Sequence, residues 1–254
     1  MEAPLAPSCI VREIGVFGRL PRPGAGKTRL AEAVGPVRAA ALAAAFLADV
    51  LELVSGAADG GACWWLAPDE SHPAEALVAA AQASGLAPPG TTIRLQQGHH
   101  LGARMEHALG EMLARGPALI VGGDVPDLPP AALAGAIEWL ATDAPAPRLV
   151  LGPAADGGFY LVGVTAPLAG LLRGRGEWGG ADVLERTVRD ARAANWDVRL
   201  VPGWRDVDTG EDLVALRERL AGAREAGAAV APGWPARTAA LLLDQGPEGA
   251  PIGG

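Results

Sequence analysis

A short apolar run, Ala118 to Val121, ends at Gly122-Gly123-Asp124 and continues into Val125-Pro126-Asp127-Leu128-Pro129-Pro130. The run reads as a buried strand, and Ala131 to Leu140 reads as the helix that follows it. A carboxylate therefore stands where a strand ends and a helix is about to start. In open α/β sheets that edge is where ligands bind. Asp124 is accordingly expected to hold a divalent metal that grips nucleotide phosphates. Asp127 is expected to cap the next helix, since Pro129 or Pro130 suits its first turn.

The same grammar of short apolar runs and helical stretches repeats along the chain. Strands are expected at Ile10 to Gly18, Ala62 to Ala67, Thr91 to Gln96, Arg148 to Pro153, Phe159 to Val164 and Trp196 to Val201. Helices are expected at Val37 to Val54, Pro73 to Ser84, from about Leu101, and at Ala181 to Ala193, where Val183, Leu184 and Val188 face inward. Gly35-Pro36 breaks one helix from the next. Trp64 and Trp65 are neighbours on a strand and face opposite ways, so they read as core or edge packing rather than a stacking platform. In a chain of 254 residues, half of it apolar, this pattern gives one large α/β domain with a full core.

The first strand leads into Gly18-Arg19-Leu20-Pro21-Arg22-Pro23-Gly24-Ala25-Gly26-Lys27-Thr28-Arg29, a Pro/Gly-rich loop with four cations. Such a loop presents backbone N–H groups and cationic side chains to phosphates. Gly26-Lys27-Thr28 imitates the end of a P-loop, but that motif needs glycine where Pro21 stands. Thr28 is a candidate cap for the following helix. Arg19, Gly24, Lys27 and Arg29 are the candidates here to bind nucleotide phosphates, with Gln97 and Arg104 further along. The pair His99-His100 is read as a loop or helix start, because adjacent histidines rarely ligate one ion together. Arg104, His107 and Glu111 share the outer face of that helix.

Two later stretches add carboxylates. Asp156-Gly157-Gly158 permits a tight turn or a close approach to a ligand, and equally fits a plain Asp-Gly hairpin. Asp206-Val207-Asp208-Thr209 precedes a helix that Asp208 or Thr209 would cap, which leaves one aspartate unexplained. A second supply of carboxylates is what a metal–phosphate site requires.

The net charge of −8 argues against a nucleic-acid binder, which needs a basic face. Two cysteines, Cys9 and Cys63, form neither a zinc pattern nor a disulfide framework and are read as reduced thiols. No basic-then-apolar opening marks a secretory leader. The most apolar stretch, Ala39 to Val54, carries Asp49 and Glu52 and is too short for a membrane span. A cytoplasmic protein is expected. From Gly222 the chain turns Ala/Gly/Pro-rich, which suggests one domain over 9–221 and an extension over 222–254. Trp234 to Asp244 reads as a short docking helix, and Gln245 to Gly254 as disordered.

Five motifs in order carry a family resemblance. They are P-R-P-G-x-x-K-T-R-L at Pro21 to Leu30, L-G-x-R-M at Leu101 to Met105, G-x-D-x-P-D-L-P at Gly122 to Pro129, L-G-P-A-x-D-G-G-F-Y at Leu151 to Tyr160 and D-V-D-T-x-E-D-L at Asp206 to Leu213. Together they span about Ile10 to Leu220, and the chain resembles the bacterial DUF2064 proteins, also called selenodomain-associated transferases. These are relatives of the nucleotide-diphospho-sugar transferases. The resemblance implies a three-layer, Rossmann-like GT-A fold with a mostly parallel sheet and a nucleotide across the carboxyl ends of its strands. It places Lys27 and Arg29 on the phosphate-side cations, Asp124 on the metal-binding acid, Asp206 and Asp208 on the late acidic pair, and Asp156 on the D-G-G turn. Where relatives often carry P-W-S-T, this chain has Glu177-Trp178-Gly179-Gly180, a departure that bears on the acceptor.

The implied chemistry is metal-dependent transfer with Mg²⁺ or Mn²⁺ held by Asp124, Asp206 and Asp208, and with Lys27, Asp124 and Asp156 as the catalytic set. The reactants would be a nucleotide-sugar or nucleoside triphosphate and a small-molecule acceptor, with no nucleic acid. Glycosyl transfer and nucleotidylyl transfer use nearly the same site. A third reading is an inactive nucleotide-binding scaffold.

Overall fold

The computed structural model describes residues 10–173 and 180–244. Cys9, the Glu177-Trp178-Gly179 stretch and the Gln245 to Gly254 tail lie outside the described residues. The described chain alternates strands and helices: β1 (Ile14–Gly18), α1 (Thr28–Val34), α2 (Pro36–Ser55), β2 (Ala62–Leu66), α3 (Ala74–Ala83), β3 (Thr92–Leu95), α4 (Leu101–Leu113) and β4 (Ala118–Gly122). It continues through α5 (Pro130–Ala141), β5 (Arg148–Pro153), β6 (Phe159–Val164), α6 (Val183–Ala193), β7 (Asp197–Leu200), α7 (Gly210–Glu225) and α8 (Ala236–Ala239). A π turn, Ala240–Asp244, extends α8.

The strands form a seven-stranded sheet in the order β3-β2-β1-β4-β6-β5-β7. All neighbours pair in parallel except β6, which runs antiparallel to both β4 and β5. This is the mostly parallel three-layer arrangement expected from the sequence. On one face α2, α3 and α5 lay Leu47, Leu51, Leu77 and Leu133 against Ile14, Val16, Trp64 and Val121. On the other, α4 and α6 lay Met105, Leu109 and Ala191 against Trp65, Ile120 and Val162. Trp64 and Trp65 are buried on opposite faces, as strand alternation requires.

Local sequence explains several element ends. Gly35 takes φ 81° between α1 and α2, and Pro36 opens α2. Thr209 caps α7 in a reciprocal box with Asp212. His100 caps α4, its ring accepting the Ala103 N–H. Three expectations shift. The first strand starts at Ile14, not Ile10, because β2 and β4 offer pairing partners only from there. Lys27, not Thr28, is the N-cap of α1, and no side chain caps that helix. Pro129 is the N-cap of α5, and Asp127 instead accepts hydrogen bonds from Trp204 Nε1 (3.2 Å) and Arg219 Nε (2.7 Å).

The segment after α7 turns back onto the domain. Asp49 of α2 accepts the backbone N–H of Arg237 (3.1 Å) and of Thr238 (2.8 Å), which pins the start of α8. Leu242 then joins Leu42, Phe46 and Leu216 in a third apolar cluster. Among the described residues, no helix is long and apolar enough to cross a membrane.

Candidate active site

The sheet order reverses between β1 and β4, since β2 lies on one side of β1 and β4 on the other. Both strands end side by side, with Phe17 opposite Gly122. Chains leaving the two strands diverge there and leave a crevice. The basic loop fills one lip of it. Its turn runs through positive φ at Gly24 (80°), Gly26 (92°) and Lys27 (49°). For lysine the left-handed region costs about 1–2 kcal/mol, and such strain persists where the surroundings hold it in place. What holds Lys27 is its ammonium, which donates to Asp124 Oδ2 at 2.9 Å and lies 3.5 Å from Asp208 Oδ1.

Backbone bonds bring the acids together. The Gly123 N–H donates to the Phe17 carbonyl (2.9 Å), tying the end of β4 to the end of β1. The Val207 N–H donates to the Asp124 carbonyl (3.0 Å). That bond fastens the Asp206–Asp208 segment beside Asp124, although 81 positions separate Asp124 from Arg205. Thr209 is the helix cap, so Asp208 is left for the site and pairs with Arg29 and Lys27. Asp156 sits on the β5–β6 turn, where its Oδ1 accepts the Gly158 N–H at 2.9 Å. Gly157 in that turn has φ 88°, and a Cβ there would meet the Ala181 carbonyl oxygen at 2.1 Å, so glycine is required.

The charges are unequal. Burial, then the nearby carboxylates of Asp124 and Asp156, push the Asp206 carboxyl above its ordinary range. Burial works against the Lys27 ammonium, but Asp124, Asp208 and Asp206 more than offset it and hold Lys27 above its ordinary value. The four aspartates thus have two cations paired with them, Lys27 and Arg29. The cluster's donors are all oxygen, which suits a hard divalent cation. Among the described residues no three potential ligands already converge on one metal position; the Lys27 ammonium stands between Asp124 and Asp208.

These groups rim a cavity of about 550 Å³. Arg19, Lys27, Arg104, Asp124, Asp156, Asp206 and Asp208 all line it. Arg19 has no partner among the described residues, while Arg104 Nε donates to the Gly98 carbonyl at 3.0 Å. Three expected residues are placed elsewhere. Gly24 does not line the cavity, Arg29 reaches it only through Asp208, and Gln97 is exposed outside it. The neighbouring Gln96 lines it instead, buried, with its Nε2 donating to the Trp65 carbonyl at 2.8 Å. A one-residue register reading at the end of β3 would have distinguished them. The deeper wall is apolar, with Phe46, Leu47 and Met105.

Comparison with known proteins agrees with this fold. A proposed nucleotide-diphospho-sugar transferase of Desulfovibrio desulfuricans superposes with a TM-score of 0.72, at 29% identity, over 92% of this chain and 97% of that one. A cytidylyltransferase of Leptospira borgpetersenii shares the fold at 12% identity, with a TM-score of 0.51 over 93% of this chain and 98% of the other. The 4-diphosphocytidyl-2C-methyl-D-erythritol synthase of Anaerococcus prevotii does so at 10% identity and a TM-score of 0.50, over 83% and 96%. No curated protein matches the sequence. The profile of DUF2064, described as uncharacterized proteins conserved in bacteria, matches residues 51–179, half of the chain and the part that runs from α2 through Asp124 and Asp156, and the chain belongs to that family.

Proposed function

We propose that this chain is a metal-dependent transferase that takes a nucleotide-activated donor, and that it moves a glycosyl group from a nucleotide-diphospho-sugar to a small-molecule acceptor. The transferase unit would span 9–221, with 222–254 as an extension. The observation that carries the reading is the meeting, at the β1/β4 switch point, of the basic turn with surplus carboxylates beside a partly apolar cavity. The apolar wall suits a nucleobase and the charged rim a diphosphate. The name of the Desulfovibrio protein supports the same donor class.

Asp124, Asp206 and Asp208 are the residues that would hold Mg²⁺ or Mn²⁺, which when bound supplies positive charge against the leaving diphosphate. Arg19, with no partner among the described residues, is placed to bind phosphate oxygens. Lys27 would exchange its carboxylate partners for phosphate when donor enters, since both compete for one ammonium. Asp156 keeps Oδ2 free of its own turn, so it serves as the base. An acceptor hydroxyl oxygen bonds to the anomeric carbon, its proton passes to Asp156, and the bond to the diphosphate breaks with its electron pair leaving on the nucleotide.

One observation favours a second reading. Arg19 and Lys27 lie directly beyond β1, where they would suit a triphosphate as well as a diphosphate. In nucleotidylyl transfer an acceptor phosphate attacks the α-phosphorus and pyrophosphate leaves. A thermal-shift panel with Mn²⁺ separates the two. A ligand at about 100 times its Kd adds roughly 2.7 kcal/mol to stability. Stabilisation by one nucleotide-sugar and its diphosphate supports glycosyl transfer. Stabilisation by a triphosphate but not its sugar conjugates selects nucleotidylyl transfer, and no response to either class rejects both.

A further inference from the structure

A second cavity, of about 350 Å³, lies behind the wall of the first and shares Ala154 with it. Trp204, Arg205 and Arg219 line it, with Ala155 and Gly203. The wall itself is built by backbone pairing: the Trp204 N–H donates to the Pro153 carbonyl at 2.9 Å, and Ala154 bridges to Trp204. Neighbouring residues on this wall serve opposite sides. Asp156 and Asp206 line the first cavity, whereas Ala155 and Arg205, one position earlier in each case, line the second.

The lining is held in place from beneath. Asp127, whose side chain is 8% exposed, accepts from Trp204 Nε1 through one oxygen and from Arg219 Nε through the other. The Arg219 guanidinium carbon lies 5.9 Å from the centre of the Trp204 ring. Arg219 thus keeps its terminal nitrogens clear of Asp127, and Arg205 has no partner among the described residues. A fixed indole with two guanidinium groups recognises a small anion carrying a ring or chain that can lie on the indole. In a chain of net charge −8, beside four aspartates, an anionic reactant needs such a local countercharge.

We propose that this second cavity is an anion site that anchors the acceptor, and that it takes the carboxylate- or phosphate-bearing end of a small molecule, with Ala154 the residue it shares with the first cavity. The proposal rests on the transferase reading for the word acceptor, but not for the binding of an anion. Arg205 and Arg219 are then specificity residues, and Asp127 positions Trp204 and Arg219 without touching the reactant.

The test uses the full chain and three probes, phenyl phosphate, benzoate and neutral phenol, titrated with saturating donor nucleotide so that the first cavity is filled. The local reader is the Trp204 indole N–H resonance, assigned by its loss in Trp204→Phe. Phenyl phosphate or benzoate should shift that resonance in a saturable way and phenol should not. Tighter binding of one anion identifies a phosphate or a carboxylate acceptor. Arg205→Gln, an exposed change that spares the fold, should weaken the bound anion several-fold. Arg205→Gln combined with Arg219→Lys should weaken it at least tenfold, with nucleotide affinity unchanged in both variants. Absence of a saturable shift, or equal binding by the wild type and both variants, overturns the proposal. If wild-type protein binds no nucleotide, the transferase reading fails on that result. The same titration without nucleotide, run in Lys27→Ala to remove the first cavity's cation, still decides whether the second cavity holds anions.

Discussion

Two of the places where this molecule takes carboxylates out of water are built in opposite ways. At Asp49 each oxygen receives a backbone N–H, from Arg237 and from Thr238, and the group is buried with its bonds filled. At the mouth of the sheet, Asp124, Asp156, Asp206 and Asp208 line one cavity, and Lys27 and Arg29 are the cations paired with them. A buried carboxylate costs several kcal/mol unless its acceptors are occupied. Asp49 meets that condition internally, so it serves the fold by clamping α8. Burial pushes both the Asp49 and the Asp206 carboxyl above the ordinary range, but at Asp49 the bonds from Thr238 and Arg237 work against that rise, whereas at Asp206 the carboxylates of Asp124 and Asp156 add to it. A cluster with fewer paired cations than carboxylates is one that a cation or a cationic face completes from outside.

The comparison predicts that the two places fail differently when broken. Asp124→Ala should lower metal-dependent turnover about 100-fold or more, the scale seen when a preorganised charge partner is removed. Its melting temperature should fall less than that of Asp49→Ala, because the Asp124 side chain is 37% exposed, Asp208 still faces Lys27 and the loss relieves Asp206. Turnover at the wild-type rate would sink the assignment. Asp49→Ala should do the reverse. It strands two N–H groups that now reach a charged acceptor, each such bond being worth about 1.5–3 kcal/mol. A net loss of about 2–3 kcal/mol should lower Tm by several degrees, at roughly 2–4 °C per kcal/mol for a chain of this size. Hydrogen exchange at Arg237 and Thr238 should speed up while nucleotide affinity holds. Unchanged exchange there would show that α8 is docked by its apolar contacts alone.

The same contrast explains what could be read in advance. The inner strands were legible because each is a short apolar run closed by Gly, Pro or a polar residue, and period-2 alternation sends Trp64 and Trp65 to opposite faces. Asp124 was legible because it directly follows such a run. The tertiary uses of side chains were not. Asp127 looks like a helix cap from spacing alone, but Trp204 and Arg219 claim it across 77 and 92 positions. Asp49 meets its partners across 188 and 189 positions, and nothing local marks it. Gln96 and Gln97 differ by one step of strand register, which composition does not resolve. Lys27 was legible as a cation, but not as a strained one, since positive φ outside glycine is set by what its ammonium reaches.

Two smaller effects sharpen the contrast from within the mouth. Lys27 combines charge with left-handed backbone, and the two can be separated. Lys27→Ala and Lys27→Gly both remove the ammonium and should lose donor affinity alike, whereas only glycine relieves the backbone. Lys27→Gly should therefore be more stable than Lys27→Ala by about 1 kcal/mol in denaturant melts. Equal stability would mean the turn relaxes without its tether. At Asp206 the sign follows from its raised pKa. The folded state prefers the protonated form, so the stabilising contribution is fully present below the ordinary value of 3.8 and is lost as pH rises through the higher folded value. Asp206→Asn should thus melt above wild type at neutral pH, with the gain fading in acid where both side chains are neutral. Mn²⁺ should narrow the neutral-pH gap by stabilising the wild type more. A variant that melts below wild type at neutral pH, as Asp49→Ala should, would instead place Asp206 with the internally satisfied carboxylates and remove it from the metal set.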